Sequence, residues 1–352
     1  MLVPLLILVA AGSAAATGEP AQTTASANQA LQLSVGAILQ ADGPKAREIL
    51  AGIQDQDLSA TAQAFRQCAL ARLTTPVPSL LLIAPKGGQP DRFVTALLDI
   101  YRLYWTESLA RPNAEPTAAA KLLQSISTLF AGTPFKSMDD AERSIALRLE
   151  ASGFHSQEGQ TGRLRDLMIW RSQTTRIETV RLPEGTNATQ VNYLDDFVSR
   201  GWSTYFTCDR TGTGGWTKPD GLYVIVPAYK SLTDETFRVN FLAHESQHYA
   251  DHRQFPHLAD WELEYRAKLV ELATTETTRD KTLGGFSSNQ GDDPQDPHSF
   301  ANKRVLAALR SRLRLPGQAD LSAVPGERLR KAAIAELKAD TNRRMALAKR
   351  AR

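Results

Sequence analysis

The sequence predicts an α+β protein that is mostly helical, and three observations support this fold class. Apolar residues recur at helical spacing over residues 29–152, β-branched and aromatic runs alternate with turn signals over residues 167–226, and helical spacing then resumes. A chain of 352 residues exceeds a typical single core, so more than one domain is expected. The change of pattern near residue 161 predicts a helical domain over residues 17–160 and a mixed domain over residues 161–352.

The first residues predict a signal peptide over residues 1–16. Residues 2–11 are an unbroken apolar run, and the small residues Ala14, Ala15 and Ala16 follow it, but neither Lys nor Arg precedes it. The run is too short to span a membrane, and a buried N-terminal helix is the alternative. We expect an exported protein, periplasmic or extracellular, whose mature chain has no membrane span. Residues 17–27 read as a disordered leader.

The amino-acid composition indicates which classes of binding partner to expect. Hydrophobic residues make up 42% and charged residues 22%, and the net charge of +3 comes from interspersed signs. Nucleic-acid binding needs a clustered basic face, so no nucleic-acid partner is expected. Cys68 and Cys208 form a disulfide if the compartment is oxidising, whereas Cys68 alone also fits a small core residue.

The helical domain is built from segments 55–73, 91–110, 116–130 and 139–152, where apolar residues lie three and four apart. It contains no group of residues that indicates a catalytic or metal-binding site. An inhibitory cover, a substrate platform and a module for docking a partner all remain open as its role.

Strands are predicted next. Residues 167–182 are rich in Ile, Val, Thr and Trp, Pro183-Glu184-Gly185 makes a turn, and a short run continues to Tyr193. Residues 202–208 read as a strand, residues 211–215 as a flexible loop, and residues 222–226 as the clearest strand of the chain. A polar loop over residues 284–297 precedes two final helical segments.

A helix is predicted to begin at residues 233–235, where Thr233 is a suitable N-cap and two acids favour the positive end of the helix dipole. Phe237, Phe241, His244 and His248 then fall on one stripe at helical spacing.

Residues 244–248 read His-Glu-Ser-Gln-His, which is the H-E-x-x-H pattern. Histidines four apart lie about 6 Å apart along a helix axis, so both imidazoles can reach one zinc ion. Glu245 lies beside His244, where its carboxylate can take a proton from a water molecule that zinc has acidified. The alternative is a pair of surface or core histidines with no metal.

Residues 221–273 resemble a zinc metallopeptidase of the gluzincin type, in which a glutamate on the next helix completes the metal site. The extended metzincin pattern fails, because Asp251 and Gln254 stand where it needs Gly and His or Asp. The resemblance implies a zincin-like domain with a small antiparallel sheet, a Zn²⁺ cofactor, a peptide or protein substrate, and Glu245 as general base.

The third zinc ligand implied by this resemblance is Glu264, with Glu262 as the alternative. Glu264-Tyr265-Arg266-Ala267 is similar to the E-x-x-A usage of gluzincins, although Lys268 follows where those families often have Asp. A helical wheel places Glu264 with Lys268 and Glu271 on a polar side, and Glu262 nearer Leu269 and Ala273.

Three further roles are expected. Asp251 either accepts a hydrogen bond from a ligand imidazole or is an exposed acid, and His298 either stabilises the oxyanion or is an exposed, capping histidine. Backbone pairing with Tyr223, Val224 and Ile225 would hold an extended substrate.

Two other functions stay open. One is a zinc hydrolase of a non-peptide amide or ester, and the other is a non-catalytic binding or scaffold protein with a structural zinc site.

Overall fold

The computed structural model describes residues 22–75, 92–111 and 113–350. The predicted signal peptide at residues 1–16 lies outside this part of the chain. The first half of the described chain is helical, and its six α-helices are α1 (Ala25–Leu39), α2 (Gly43–Ala51), α3 (Ala60–Thr74), α4 (Arg92–Ala110), α5 (Glu115–Leu129) and α6 (Met138–Glu150). The four predicted helical segments correspond to α3 to α6. Helix α1 begins inside the segment expected to be a disordered leader.

A five-stranded sheet follows, with strand order β1-β2-β3-β5-β4. Its strands are β1 (His155–Thr161), β2 (Leu164–Leu182), β3 (Gly185–Arg200), β4 (Gly215–Lys218) and β5 (Gly221–Ile225). Neighbours are antiparallel except β3 and β5, which are parallel. The expectation of an antiparallel sheet is therefore corrected to a mixed one. The parallel pair arises because the chain leaves β3, passes through a helix and β4, and returns to β3 in the same direction.

Residues 202–208 were expected to form a strand, but the structure has helix α7 (Gly201–Phe206) there. Gly201 has φ +85°, and a Cβ at this position would lie 2.5 Å from the Asp166 carboxylate. The backbone N–H of Trp202 donates to that carboxylate at 2.9 Å. The turn at Gly201 directs the aromatic side chains of α7 into the helical core. The aromatic-rich sequence of residues 202–208 is typical of a strand. In the folded chain, packing against the helical core favours a helix instead.

One hydrophobic core joins the helices α1 to α6 to the beginning of the sheet and to α7. A disulfide between Cys68 on α3 and Cys208 after α7 links the same two parts. The core therefore continues past residue 160, where the sequence predicts a domain boundary.

The last part of the described chain is again helical. Its helices are α8 (Glu235–Phe237), α9 (His244–Gln254), α10 (Asp260–Thr274), α11 (Arg279–Ser288), α12 (Pro297–Arg312) and α13 (Gly326–Arg350). Helix α10 is central, because residues 263–273 are all buried between its neighbours. Helix α11 occupies part of the segment expected to be a polar loop. None of the helices in the described ranges has the length and apolar character needed to cross a membrane. The predicted fold class, α+β and mostly helical, is confirmed.

Candidate metal centre

The helix that carries the histidines is anchored to the sheet by aromatic rings. A π-helical segment, Arg238–Ala243, connects α8 to α9 without a break. Phe237 and Phe241 stack with ring centroids 5.9 Å apart and pack against the buried Leu222 and Val224. The apolar half of the predicted stripe is thus fixed on the sheet, and the first turn of α9 carries its polar half.

His244 and His248 lie at the centre of the site. Their Nε2 atoms are 3.0 Å apart, and both side chains are buried. One carboxylate oxygen of Glu245 and one nitrogen of each histidine all lie within 4.8 Å of one another. This His-Glu-His group could hold a metal ion.

Glu264 reaches the same point from α10. Its Oε1 atom is 3.2 Å from Nε2 of His248, and its Oε2 atom is 3.6 Å from Nε2 of His244. Tetrahedral coordination with bonds of about 2.1 Å places ligand atoms about 3.4 Å apart. The three separations lie on either side of that value, with each histidine measured to a different oxygen of the Glu264 carboxylate, so Glu264 is placed to complete a ligand set with the two histidines.

Glu262 lies elsewhere. Its Oε2 atom accepts a hydrogen bond from the backbone N–H of Ala259 at 2.9 Å, and its Oε1 atom pairs with Arg344 at 3.0 Å. Of the two candidate glutamates, the structure brings Glu264 to the histidines and uses Glu262 at the start of α10.

Glu271 was not assigned a role from the sequence, yet it contacts the first histidine. Its Oε1 atom is 2.7 Å from Nδ1 of His244, and its Oε2 atom accepts from Asn240. A carboxylate only accepts, so Nδ1 of His244 carries the hydrogen and Nε2 is left to face the other donors. Glu271 follows Glu264 by seven residues, or two helical turns, and that spacing was the available signal.

The structure corrects both roles that the sequence predicted for Asp251. It is fully buried and accepts from Nε2 of Gln247 and from Nε of Arg266, each at 2.9 Å, so it contacts neither imidazole and is not an exposed acid. The guanidinium of Arg266 is fully buried and requires anionic partners. Asp251 is one of three such partners, with Asp340 and Glu184.

His298 and Lys268 both approach the second oxygen of Glu264. Nδ1 of His298 lies 2.9 Å and Nζ of Lys268 3.4 Å from Oε2. Neither contact has hydrogen-bond geometry, and among the described residues this buried oxygen has no hydrogen-bond partner. His298 stands in the first turn of α12 with its side chain 61% exposed, so it borders the site from the solvent side.

The electrostatics of the cluster favour a positive charge between the carboxylates. Burial lowers the pKa of His244, but its contacts with Glu264 and Glu271 outweigh burial and raise the pKa to about 10. Burial raises the pKa of the Glu264 carboxyl, but the neighbouring His244 and His248 hold it well below its usual range. A proton or a metal cation would supply the charge that these groups stabilise.

Glu245 has its own partners, which the sequence did not reveal. The hydroxyl of Thr217 on β4 donates to its Oε2 atom. Burial, and then the charge of Glu245, raise the pKa of Tyr229. A Cβ on Gly214 would lie 2.4 Å from the Tyr229 hydroxyl, so this close approach requires glycine. The glycine-rich segment before β4 was the sequence feature that could have indicated this close approach.

The predicted substrate strand is wrong. Strand β5, which contains Tyr223, Val224 and Ile225, pairs with β3 on one side and β4 on the other. Its backbone groups are therefore used on both sides, and no peptide can add to it. Among the described strands, the outermost on this side of the sheet is β4, the strand that contacts Glu245.

The cluster lies where α9, α10 and the edge strand β4 meet. No protein-family model, curated protein or solved structure matches this chain. What the site can do therefore follows from its geometry: two buried imidazoles and the Glu264 carboxylate lie close together, and a second carboxylate, that of Glu245, lies beside them and is hydrogen-bonded to β4.

Proposed function

We propose that this chain is a zinc-dependent peptidase. The observation that carries the proposal is the convergence of His244, His248 and Glu264 at separations of 3.0 to 3.6 Å, with Glu245 held beside them by Thr217. Three ligands and an adjacent carboxylate base are the parts that metal-assisted hydrolysis requires.

The donor set favours zinc in a catalytic role. Imidazole nitrogen and carboxylate oxygen are both zinc ligands, and catalytic sites use three protein ligands so that a position stays open. Structural zinc sites are closed by a fourth ligand, often cysteine. Both cysteines of this chain are joined to each other far from α9 in sequence, which disfavours the scaffold alternative.

Each side chain then has a defined task. Bound zinc would polarise the scissile carbonyl and lower the pKa of water. Glu245 accepts the proton of the attacking water and delivers it to the leaving nitrogen. Thr217 orients the Glu245 carboxylate, and Glu271 fixes the tautomer of His244. His298, on the solvent side, donates to the oxyanion as it develops.

The peptide substrate is supported by the position of β4. This strand is the outermost of the described strands on this side of the sheet and contacts Glu245, and an extended chain can add to an edge strand through backbone hydrogen bonds. The same chemistry would hydrolyse a non-peptide amide or ester, which remains the second candidate. Export to an oxidising compartment is part of the same proposal, and the disulfide supports it.

Digestion of a peptide library by the zinc-loaded protein tests the proposal. We expect cleavage that is lost in Glu245→Gln, which keeps the size of the side chain but removes the base. Glu327→Gln is the matched control, because Glu327 is exposed on α13 and pairs with Lys331 at the surface. Full activity of Glu245→Gln would exclude the mechanism. Resistance of all peptides, with Glu245-dependent hydrolysis of simple esters, would favour the second candidate.

A further inference from the structure

A cavity of about 330 Å³ lies beside β4 and the second half of α9. Its lining residues are Thr217, Lys218, Pro219, Tyr249, His252 and Arg253. We infer that this cavity is a substrate subsite that binds a carboxylate of the peptide. The inference rests on the proposed peptidase function and adds the substrate class to it.

The cavity is adjacent to Glu245, the proposed catalytic base. Thr217 forms part of its wall and donates to Glu245. Tyr249 and Arg253 follow Glu245 by four and eight residues, so they share its helix face at about 6 and 12 Å along the axis. An extended peptide advances about 3.3 Å per residue, so a side chain two to four residues from the scissile bond would reach the cavity.

The wall of the cavity is basic. Lys218, His252 and Arg253 contribute nitrogen donors, and none of the described lining residues carries a carboxylate. None of the three has a carboxylate oxygen within 4.0 Å among the described residues, in contrast to the paired cations around Asp340. The charge of Lys218 acts on Glu158 of β1, but the two groups do not form an ion pair.

Aromatic rings lie against two of these cations. Nζ of Lys218 lies 4.8 Å from the ring centre of Tyr223, and the Arg253 guanidinium carbon lies 5.9 Å from that of Tyr249. A cation over a ring face is held in position while its N–H groups remain available to a ligand. The Tyr223 hydroxyl donates to Asp220 at 2.7 Å, which directs that nearby acid toward the tyrosine.

The occupant follows from the proposed function. A guanidinium binds a carboxylate through two parallel hydrogen bonds, and a second cation strengthens the pair. A peptide supplies a carboxylate from an Asp or Glu side chain or from its C-terminus. Both sources fit the chemistry of the cavity.

Peptides that carry Glu, Gln or Lys at each position two to four residues on either side of the scissile bond test the inference. At one position we expect kcat/KM to be about tenfold higher for Glu than for Gln, the ratio that one charge-assisted hydrogen bond provides. Arg253→Gln should bring that ratio close to one, and Arg253→Glu should reverse the preference toward Lys. Arg143→Gln is the matched control, because Arg143 is exposed on α6, remote in sequence from β4 and α9. Free-acid and amidated versions of each peptide separate a C-terminal carboxylate from a side-chain one.

Binding to the zinc-loaded Glu245→Gln variant, measured by calorimetry, gives a readout that does not depend on turnover. Tighter binding of the Glu peptide, or of the free acid over the amide, that is lost in Glu245→Gln/Arg253→Gln would support the subsite. Equal cleavage and binding of Glu and Gln peptides would overturn the subsite while leaving the peptidase proposal intact. Equal loss for all peptides in Arg253→Gln would also overturn it, because that result indicates a structural role. Failure to cleave any peptide would overturn the peptidase proposal, and this inference with it.

Discussion

At the scale of single residues, the two glutamates at the start of α10 have opposite surroundings. Glu264 is buried against both histidines, whereas Glu262 accepts from the backbone of Ala259 and pairs with Arg344. Helical geometry explains the difference, because residues two apart project about 200° apart around the axis. The two positions therefore form a matched pair for mutation.

We predict that Glu264→Gln reduces bound zinc well below one ion per chain, because the neutral amide is a poor ligand for Zn²⁺. Glu262→Gln should keep full zinc binding and reduce the free energy of unfolding by about 1 kcal/mol through weaker capping of α10. Metal analysis after gel filtration, with urea unfolding of the same samples, measures both effects. Full zinc occupancy in Glu264→Gln would show that this side chain is not a ligand.

Glu271 supports the site without touching the expected ion position. We predict that Glu271→Gln lowers zinc affinity about 10–100-fold, because the amide can still accept from Nδ1 of His244 but no longer raises the basicity of the ring. Competition with a zinc chelator measures the affinity, and Glu276→Gln on the exposed segment after α10 is the control. An unchanged zinc affinity would mean that Glu271 serves only to position Asn240, which donates hydrogen bonds to both Glu271 and Thr282.

The sequence revealed the parts of this site that depend on local spacing. His244 and His248 are four residues apart on one helix, and their proximity follows from that spacing alone. The cation that pairs with Asp251, by contrast, is Arg266 on α10, and the hydroxyl that donates to Glu245 belongs to Thr217 on β4. Such contacts depend on how separate elements pack, which the periodicity of a single segment does not encode.

At the scale of elements, β5 shows why an apolar strand was mistaken for an edge. Residues 222–226 form a continuous apolar run, and such runs are typical of strands that are covered by neighbours. An edge strand is usually short and polar, as β4 is with its Thr217 and Lys218. The composition of β4 was therefore the better signal for the exposed edge.

Helix α13 is attached to α10 by a buried charge network. Asp340 lies 2.9 Å from Nη1 of Arg266 and 2.6 Å from Nε of Arg344. Burial raises the pKa of the Asp340 carboxyl, but Arg344 and Arg266 outweigh it and lower the pKa below the ordinary value of 3.8. The carboxylate form is thus favoured in the folded chain.

Because this pKa is lower in the folded than in the unfolded state, the stabilisation is present above pH 3.8 and is lost as pH falls through the folded pKa. We predict that Asp340→Asn reduces the free energy of unfolding by about 1.5–3 kcal/mol at pH 7. The difference from the unmutated protein should shrink below pH 4. Urea unfolding between pH 3 and 7 checks this, with the exposed Asp139→Asn as control. A difference that stays constant down to pH 3 would contradict the expected titration.

At the scale of the whole molecule, the fold class was predictable because helical and strand periodicities occupy separate stretches of the sequence. The mixed character of the sheet was not, because the β3–β5 pair joins segments separated by α7 and β4. Likewise, helices α1 to α6 and the start of β2 contribute side chains to one hydrophobic core. The change in sequence pattern near residue 161 therefore does not mark the end of this core.

The Cys68–Cys208 disulfide closes a loop with a sequence separation of 140 residues within that core. Cross-linking of distant residues restricts the unfolded chain, so we predict that Cys68→Ser/Cys208→Ser lowers the free energy of unfolding by about 2–5 kcal/mol. The metal site lies outside this core, since His244, His248 and Glu264 stand on α9 and α10. Zinc binding of the folded variant should therefore match that of the unmutated chain. Denaturant unfolding with and without reductant, followed by zinc titration under native conditions, separates the two effects. Loss of zinc binding in a variant that remains folded would show instead that the helical core and the metal site are coupled.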